Sequence, residues 1–117
     1  MIRGEIWWAD FGIPLGSEPG FKRPVLIVQN DDFNRSKINT VVVIPLTTNL
    51  KLQEAPGNVF LDREVTSLKK DSVAVVSQMS AIDRTRCIEK ISKIDSKVMN
   101  EIEAGVLLVL GITSPRL

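Results

Sequence analysis

Between residues 16 and 29 the sequence GSEPGFKRPVLIVQ runs from a polar, glycine-flanked loop through Lys22-Arg23-Pro24 into a wholly apolar strand. Arg23 stands at that junction, and a guanidinium there offers a planar fork of donors matched to carboxylate or phosphate oxygens. A second run, TVVVIPLTTN at 40–49, puts Thr47 and Thr48 where a strand gives way to loop. Absences narrow the chemistry further. The chain has no histidine and no tyrosine and a single cysteine, Cys87. That removes Ser-His and Cys-His nucleophile pairs, the commonest general acid/base and the usual zinc sets. Any reaction has to run on Arg, Lys, Asp, Glu, Ser and Thr. Taken singly, an arginine beside a loop is more often a solvated charge, and a threonine at a strand end is more often a β-former.

Length and composition bound the scaffold that must hold these groups. At 117 residues there is room for one core and not for a second independent domain. Apolar and charged fractions of 44% and 25% exclude a disordered or fibrous chain. A net charge of +1 argues against a broad polyanion-binding face, so a polyanion would have to meet a local patch. MIRGEIWWAD lacks the long apolar region of a signal peptide, and the apolar run 104–112 is far shorter than a membrane span. With one cysteine and no disulfide these features predict a soluble, cytoplasmic protein with no membrane partner.

Residues 5–11 alternate Ile6/Trp8/Asp10 against Trp7/Ala9/Phe11 and predict a strand at least partly covered on both faces, with at least one tryptophan in the core. The stretch 12–22, with Pro14, Gly16, Pro19 and Gly20, predicts a long loop of the kind that binds or moves. Residues 24–28 and 40–47 predict buried strands, with Pro24 confined to a first or edge position and Pro45 marking a bulge or edge. Between them NDDFN predicts turn or cap chemistry around a helical turn at 32–36, which weighs Asp31-Asp32 against a Mg²⁺ site. Further strands are expected at 58–61, 72–78 and 89–94, with Lys69-Lys70 in a solvated turn at 67–71. A helix follows, N-capped by Asp95, stapled by Ile94 and Met99, and stopped at Gly111. Leu107, Leu108 and Leu110 make its end apolar nearly all round, an excess that a homodimer interface would cover. Five or six strands and one helix predict a mainly β fold with α: a small antiparallel barrel or strongly bent sheet with the helix on one side.

The order and spacing of several short motifs carry a resemblance. Gly-Ser-Glu-Pro-Gly before Lys-Arg-Pro and an apolar strand, then a second strand ending Pro-Leu-Thr-Thr-Asn, resembles the MazF/PemK family of toxin endoribonucleases. The likeness extends through Ile2-Arg3-Gly4-Glu5-Ile6-Trp7-Trp8, Gln29-Asn30-Asp31, Asp71-Ser72-Val73 and Ile82-Asp83-Arg84, nearly the whole chain. It implies an SH3-like barrel of the MazF/PemK/CcdB type with a C-terminal helix. It also implies a homodimer and metal-independent, cofactor-free, sequence-selective cleavage of single-stranded RNA, including mRNA. The neutralising partner would be a cognate antitoxin, acidic and partly disordered.

On this resemblance Arg23 takes the place of the family's catalytic arginine and Thr47 that of its threonine, with Thr48 the neighbouring alternative. Glu18 is the candidate acceptor for the 2′-OH proton, and water is the fallback. Ser17, Lys22, Thr48, Ser77, Gln78, Arg84 and Arg86 are expected to contact RNA. Physical chemistry agrees with the residue types, because attack of a ribose 2′-OH on its own 3′-phosphate builds charge on non-bridging oxygens that an arginine and a hydroxyl can stabilise. The products would be a 2′,3′-cyclic phosphate and a 5′-OH. The rival reading is a non-catalytic CcdB-like toxin that binds DNA gyrase through its helix tip, which fold alone does not separate.

Overall fold

Alternation along the β-branched runs sorts their side chains onto two faces. In the computed structural model, which describes residues 1–12 and 22–112, the centre is an antiparallel sheet of β1 (Glu5–Asp10), β2 (Lys22–Ile27) and β3 (Thr40–Thr47). Ile6, Leu26, Ile44 and Leu46 enter one buried cluster, and Ala9, Val25, Ile27, Val41 and Val43 enter a second on the opposite face. The two-sided cover expected for the first strands is present. Trp7 and Trp8 are both half-buried, and Trp7 packs against the second cluster without being enclosed in it.

The sheet continues with β4 (Val59–Leu61), β5 (Ser72–Ala74), β6 (Ser80–Asp83) and β7 (Cys87–Lys93) in the order β4-β5-β3-β2-β1-β7, with β6 paired to β3. β3 serves two partners in succession. Residues 40–43 pair with β6, and Leu46 and Thr47 pair with β5. Pro45 lies between these ladders, where a missing amide donor is tolerated, and its carbonyl accepts from the Val75 amide at 3.0 Å. Pro24 is the third residue of β2 rather than its first. The β3 partnership begins only at Val25, so Pro24 sits in a stretch with one laddered side.

Among the described residues seven strands replace the expected five or six. The run 72–78 is a strand only to Ala74, and Val76–Gln78 is a 3₁₀ turn. The polar, short β6 falls where no strand was expected, and β7 begins at Cys87, two residues early. Barrel closure is not detected among the described residues, since β4 and β7 end the ladder without pairing. The bent sheet is instead bridged there by α2 (Arg63–Thr66), whose Thr66 carbonyl accepts from Ser92 Oγ on β7. Register shifts between β1 and β7 add local bend.

A short α1 (Asp31–Asn34) carries Asp31 and Asp32 in its first turn, the cap reading of NDDFN. The Arg3 amide and Asn34 Nδ2 both donate to Asp31 Oδ1, and Asp32 pairs with Arg35. The last helix, α3 (Ser96–Leu110), is built as its sequence predicts: Asp95 Oδ1 accepts from the Val98 amide at 2.9 Å, and Ile94 and Met99 are buried in the same cluster. Gly111, at φ +70°, ends it, with the Ile112 amide donating to the Leu107 carbonyl at 2.9 Å. Met99, Ile102 and Gly105 form its buried stripe, while Leu107, Leu108 and Leu110 are exposed. Among the described residues no helix is long and apolar enough to cross a membrane.

One buried acid ties the first strand to the last. Glu5 is 4% exposed, and its carboxylate accepts from the Ile2 amide at 2.8 Å and Trp7 Nε1 at 3.1 Å and pairs with Lys90 Nζ at 3.0 Å. Burial pushes its pKa up, but the bonds from Lys90, Trp7 and Ile2 outweigh this and leave it below the ordinary 4.5. A depressed carboxyl stabilises the fold above its unfolded pKa, and that contribution disappears as pH falls through the folded value. Glu5→Gln is therefore expected to cost about 1–2 kcal/mol in urea unfolding near neutral pH. The difference from wild type should shrink below about pH 4.

Candidate active site

The two central candidates lie just past the end of the β2–β3 ladder. That ladder stops at Val25–Pro45, two residues short of Arg23 and of Thr47, and both residues line the cleft that opens there. Arg23 pairs with Ala9 of β1, so it is held within a ladder. β2 starts at Lys22, which moves the arginine from the loop–strand junction into the strand itself. Its anchor is stiffer than the sequence suggested.

A cleft of about 580 Å³ opens over this strand end, and Lys22, Arg23, Thr47 and Thr48 all line it. Thr47 closes β3 and accepts the Asn49 amide on Oγ1 at 3.2 Å, which fixes its hydroxyl while leaving the hydroxyl proton to donate elsewhere. Thr48 is exposed on the loop beyond it. Among the described residues no side-chain hydrogen bond or ion pair engages the Arg23 guanidinium. The half-buried position narrows its rotamer choice without occupying its donors. A planar cation and a hydroxyl lining one cleft are the donor types that a tetrahedral oxyanion accepts.

Trp8, Pro24, Leu46, Leu68 and Ile91 supply apolar lining, and Ser67, Lys69, Lys70 and Ser72 complete it. Trp8, Lys69 and Lys70 were not singled out as site residues from the sequence. The signal that finds the lysines is the β3–β5 register: Leu46 pairs with Ala74 and Thr47 with Val73, so the turn before β5 must arrive beside Thr48. Ser77, Gln78, Arg84 and Arg86 are not among the cleft lining. Ser77 and Gln78 are exposed on the 3₁₀ turn. Arg84 donates to the Phe33 carbonyl at 2.9 Å and Arg86 to the Asp10 carbonyl at 3.2 Å, so both brace backbone. Ser17 and Glu18 lie outside the described residues.

Cys87 is half-buried, and burial pushes its thiol pKa up, the opposite of nucleophile activation. It has no part in the cleft.

An antiparallel sheet packed by a C-terminal helix, with an arginine and a threonine lining one cleft, defines a small β-sheet protein with a basic cleft. Comparison with known proteins gives that class its family. Residues 2–110 match the model of the PemK-like, MazF-like toxins of type II toxin–antitoxin systems. Endoribonuclease MazF2 of Mycobacterium bovis is 38% identical over 112 residues, covering 96% of this chain and 98% of the relative. Endoribonuclease EndoA of Bacillus subtilis is 32% identical over 110 residues, 94% of each chain. Among solved structures, an endoribonuclease in complex with its cognate antitoxin from Mycobacterial species superposes with a TM-score of 0.78 at 23% identity, covering 98% of this chain and 99% of the other. Mycobacterium tuberculosis toxin MazF-mt6 gives 0.78 at 18% identity, covering 94% and 99%, and these two likenesses establish the fold. The chain belongs to the MazF/PemK family of type II toxin–antitoxin endoribonuclease toxins. That assignment favours RNA cleavage over the gyrase-binding alternative.

Proposed function

We propose that this toxin cleaves single-stranded RNA at the Arg23–Thr47 strand end, by attack of the ribose 2′-OH on the adjacent phosphate and without a metal or other cofactor. The observation that carries the proposal is that Arg23 and Thr47 line one cleft just past the end of the β2–β3 ladder. The O2′–P bond forms as the P–O5′ bond breaks, and negative charge gathers on the two non-bridging oxygens. Arg23 donates to these oxygens through its fork, and the Thr47 hydroxyl adds a neutral donor. The 2′-OH proton passes to Glu18 or to water, and O5′ leaves with a proton supplied by Arg23 or water. Lys22 and Thr48 contact the flanking backbone. Ser17, Ser77, Gln78, Arg84 and Arg86 contribute RNA contacts beyond the cleft.

The exposed Leu107, Leu108 and Leu110 support a homodimer seam along the end of α3. A cognate antitoxin would lay an extended acidic segment across the groove near that seam, ordering as it binds. The relative solved in complex with its cognate antitoxin supports that partner.

Since the nucleophile belongs to the substrate, DNA has none to offer. An RNA oligonucleotide should be cut in EDTA, and its all-deoxy counterpart should survive at least about 10³ times longer. Comparable rates on the two strands would sink the proposal.

A further inference from the structure

The charge of the cleft is out of proportion to that of the chain. With 15 basic and 14 acidic residues in all, the described lining gathers Lys22, Arg23, Lys69 and Lys70, and no described carboxylate. β2 and β5 are the two neighbours of β3 at its end. Thr47 and Thr48 therefore lie between the β2 pair, Lys22 and Arg23, and the turn that carries Lys69 and Lys70.

That turn is held from both sides. Ser67 takes the left-handed conformation at φ 65°, closing α2. The Leu68 amide donates to Thr66 Oγ1 at 3.1 Å, and the Leu68 side chain packs against the main core. Asp71 accepts the Arg63 amide at 2.9 Å, which engages the nearest carboxylate with α2. Both lysines remain exposed while their backbone is fixed. Four cations around one cleft repel each other, a cost that a polyanion in the cleft turns into attraction.

We infer that Lys69 and Lys70 bind RNA phosphates adjacent to the one held by Arg23 and Thr47, so that the backbone crosses the end of β3. The inference deepens the proposed function and rests on it for the identity of the polyanion. An ammonium on a flexible stem holds a phosphate as a point charge, with equal effect on ground and transition states. Lys69 and Lys70 thus govern affinity and track, while Arg23 and Thr47 govern the reacting phosphate.

The test uses a short fluorescein-labelled 2′-O-methyl RNA, which lacks the nucleophile, titrated by anisotropy over a range of salt. The proteins are wild type, Lys69→Gln/Lys70→Gln, and the control Lys37→Gln/Lys97→Gln outside the cleft. For the cleft pair the slope of log affinity against log salt should fall by about 1.4, from about 0.7 per single-strand phosphate. Affinity at low salt should weaken about tenfold or more. With cleavable RNA the same pair should raise KM by a like factor while kcat stays within about twofold. Unchanged slopes, or a fall in kcat at constant KM, would overturn the inference. A slope change seen only with poly-glutamate would overturn it in favour of an acidic protein segment. The two readings fail separately: wild type that binds with the expected slope difference but never cuts RNA contradicts the nuclease mechanism and leaves the phosphate track standing.

Discussion

Arg23→Ala is expected to lower kcat for RNA cleavage by about 10²–10³-fold, the usual loss when a preorganised donor to a developing oxyanion is removed. Stability should change by less than about 1 kcal/mol, because the side chain is half-buried and braces no described neighbour. Arg23→Lys should fall between the two. It keeps the charge but loses the planar fork that meets two phosphate oxygens together. Thr47→Val should cost about tenfold, since a neutral donor stabilises the charge less and the shape is preserved. Single-turnover cleavage with thermal melts beside it reads all three. Full activity in Arg23→Ala would remove the site from this cleft.

The second large effect is on folding. Gly105 lies on the buried stripe of α3 and presses on the loop at Gly57. A Cβ built on Gly105 would stand 2.2 Å from the Gly57 carbonyl oxygen and 3.4 Å from Val76 Cγ2. Gly57 itself sits at φ +88°, and its own Cβ would meet Val109 Cγ2 at 2.7 Å. The two backbones touch because neither carries a side chain. In an open helix Gly→Ala gains about 1 kcal/mol. Here the nearest atom is backbone and cannot rotate aside, so Gly105→Ala is expected to lose about 1–3 kcal/mol net. A fall of several degrees in Tm, about 4–8 °C per kcal/mol for a chain of this order, would record it. A rise in Tm would mean that the loop yields freely and the close approach is not a constraint.

What could be read from the sequence follows what is local. The α3 caps, the Ile94–Met99 staple and the Gly111 stop depend on residues a few positions apart, and all were legible. So were the two faces of β2 and β3, because alternating burial is written in their apolar runs. β6 was not, since Ser80–Asp83 is short and largely exposed and owes its strand form to pairing with β3. The Gly57–Gly105 contact joins a loop to a helix far along the chain, and neither glycine announces the other.

The site divides in the same way. Arg23 and Thr47 could be named from motif order, but that they line one cleft depends on the fold, in which β2 and β3 are neighbours up to Val25–Pro45. Lys69 and Lys70 lie exposed in the turn that the sequence predicts, but only the pairing of β5 with the end of β3 puts that turn beside the cleft. Arg84 and Arg86 are named from charge and motif order, but the carbonyls that each guanidinium also engages, of Phe33 and of Asp10, are far along the chain and no local pattern announces them.

The mechanism is tested most directly by the chemistry of the cut ends. Wild-type protein is incubated in EDTA with a mixed RNA pool, and the fragments are resolved by mass and by selective ligation of their termini. A 2′,3′-cyclic phosphate on the upstream fragment and a 5′-OH on the downstream one are predicted, because the 2′-OH is the nucleophile and O5′ the leaving group. A 3′-OH paired with a 5′-phosphate would mean that water attacked the phosphate from outside the substrate, and would contradict the role given to Arg23 and Thr47.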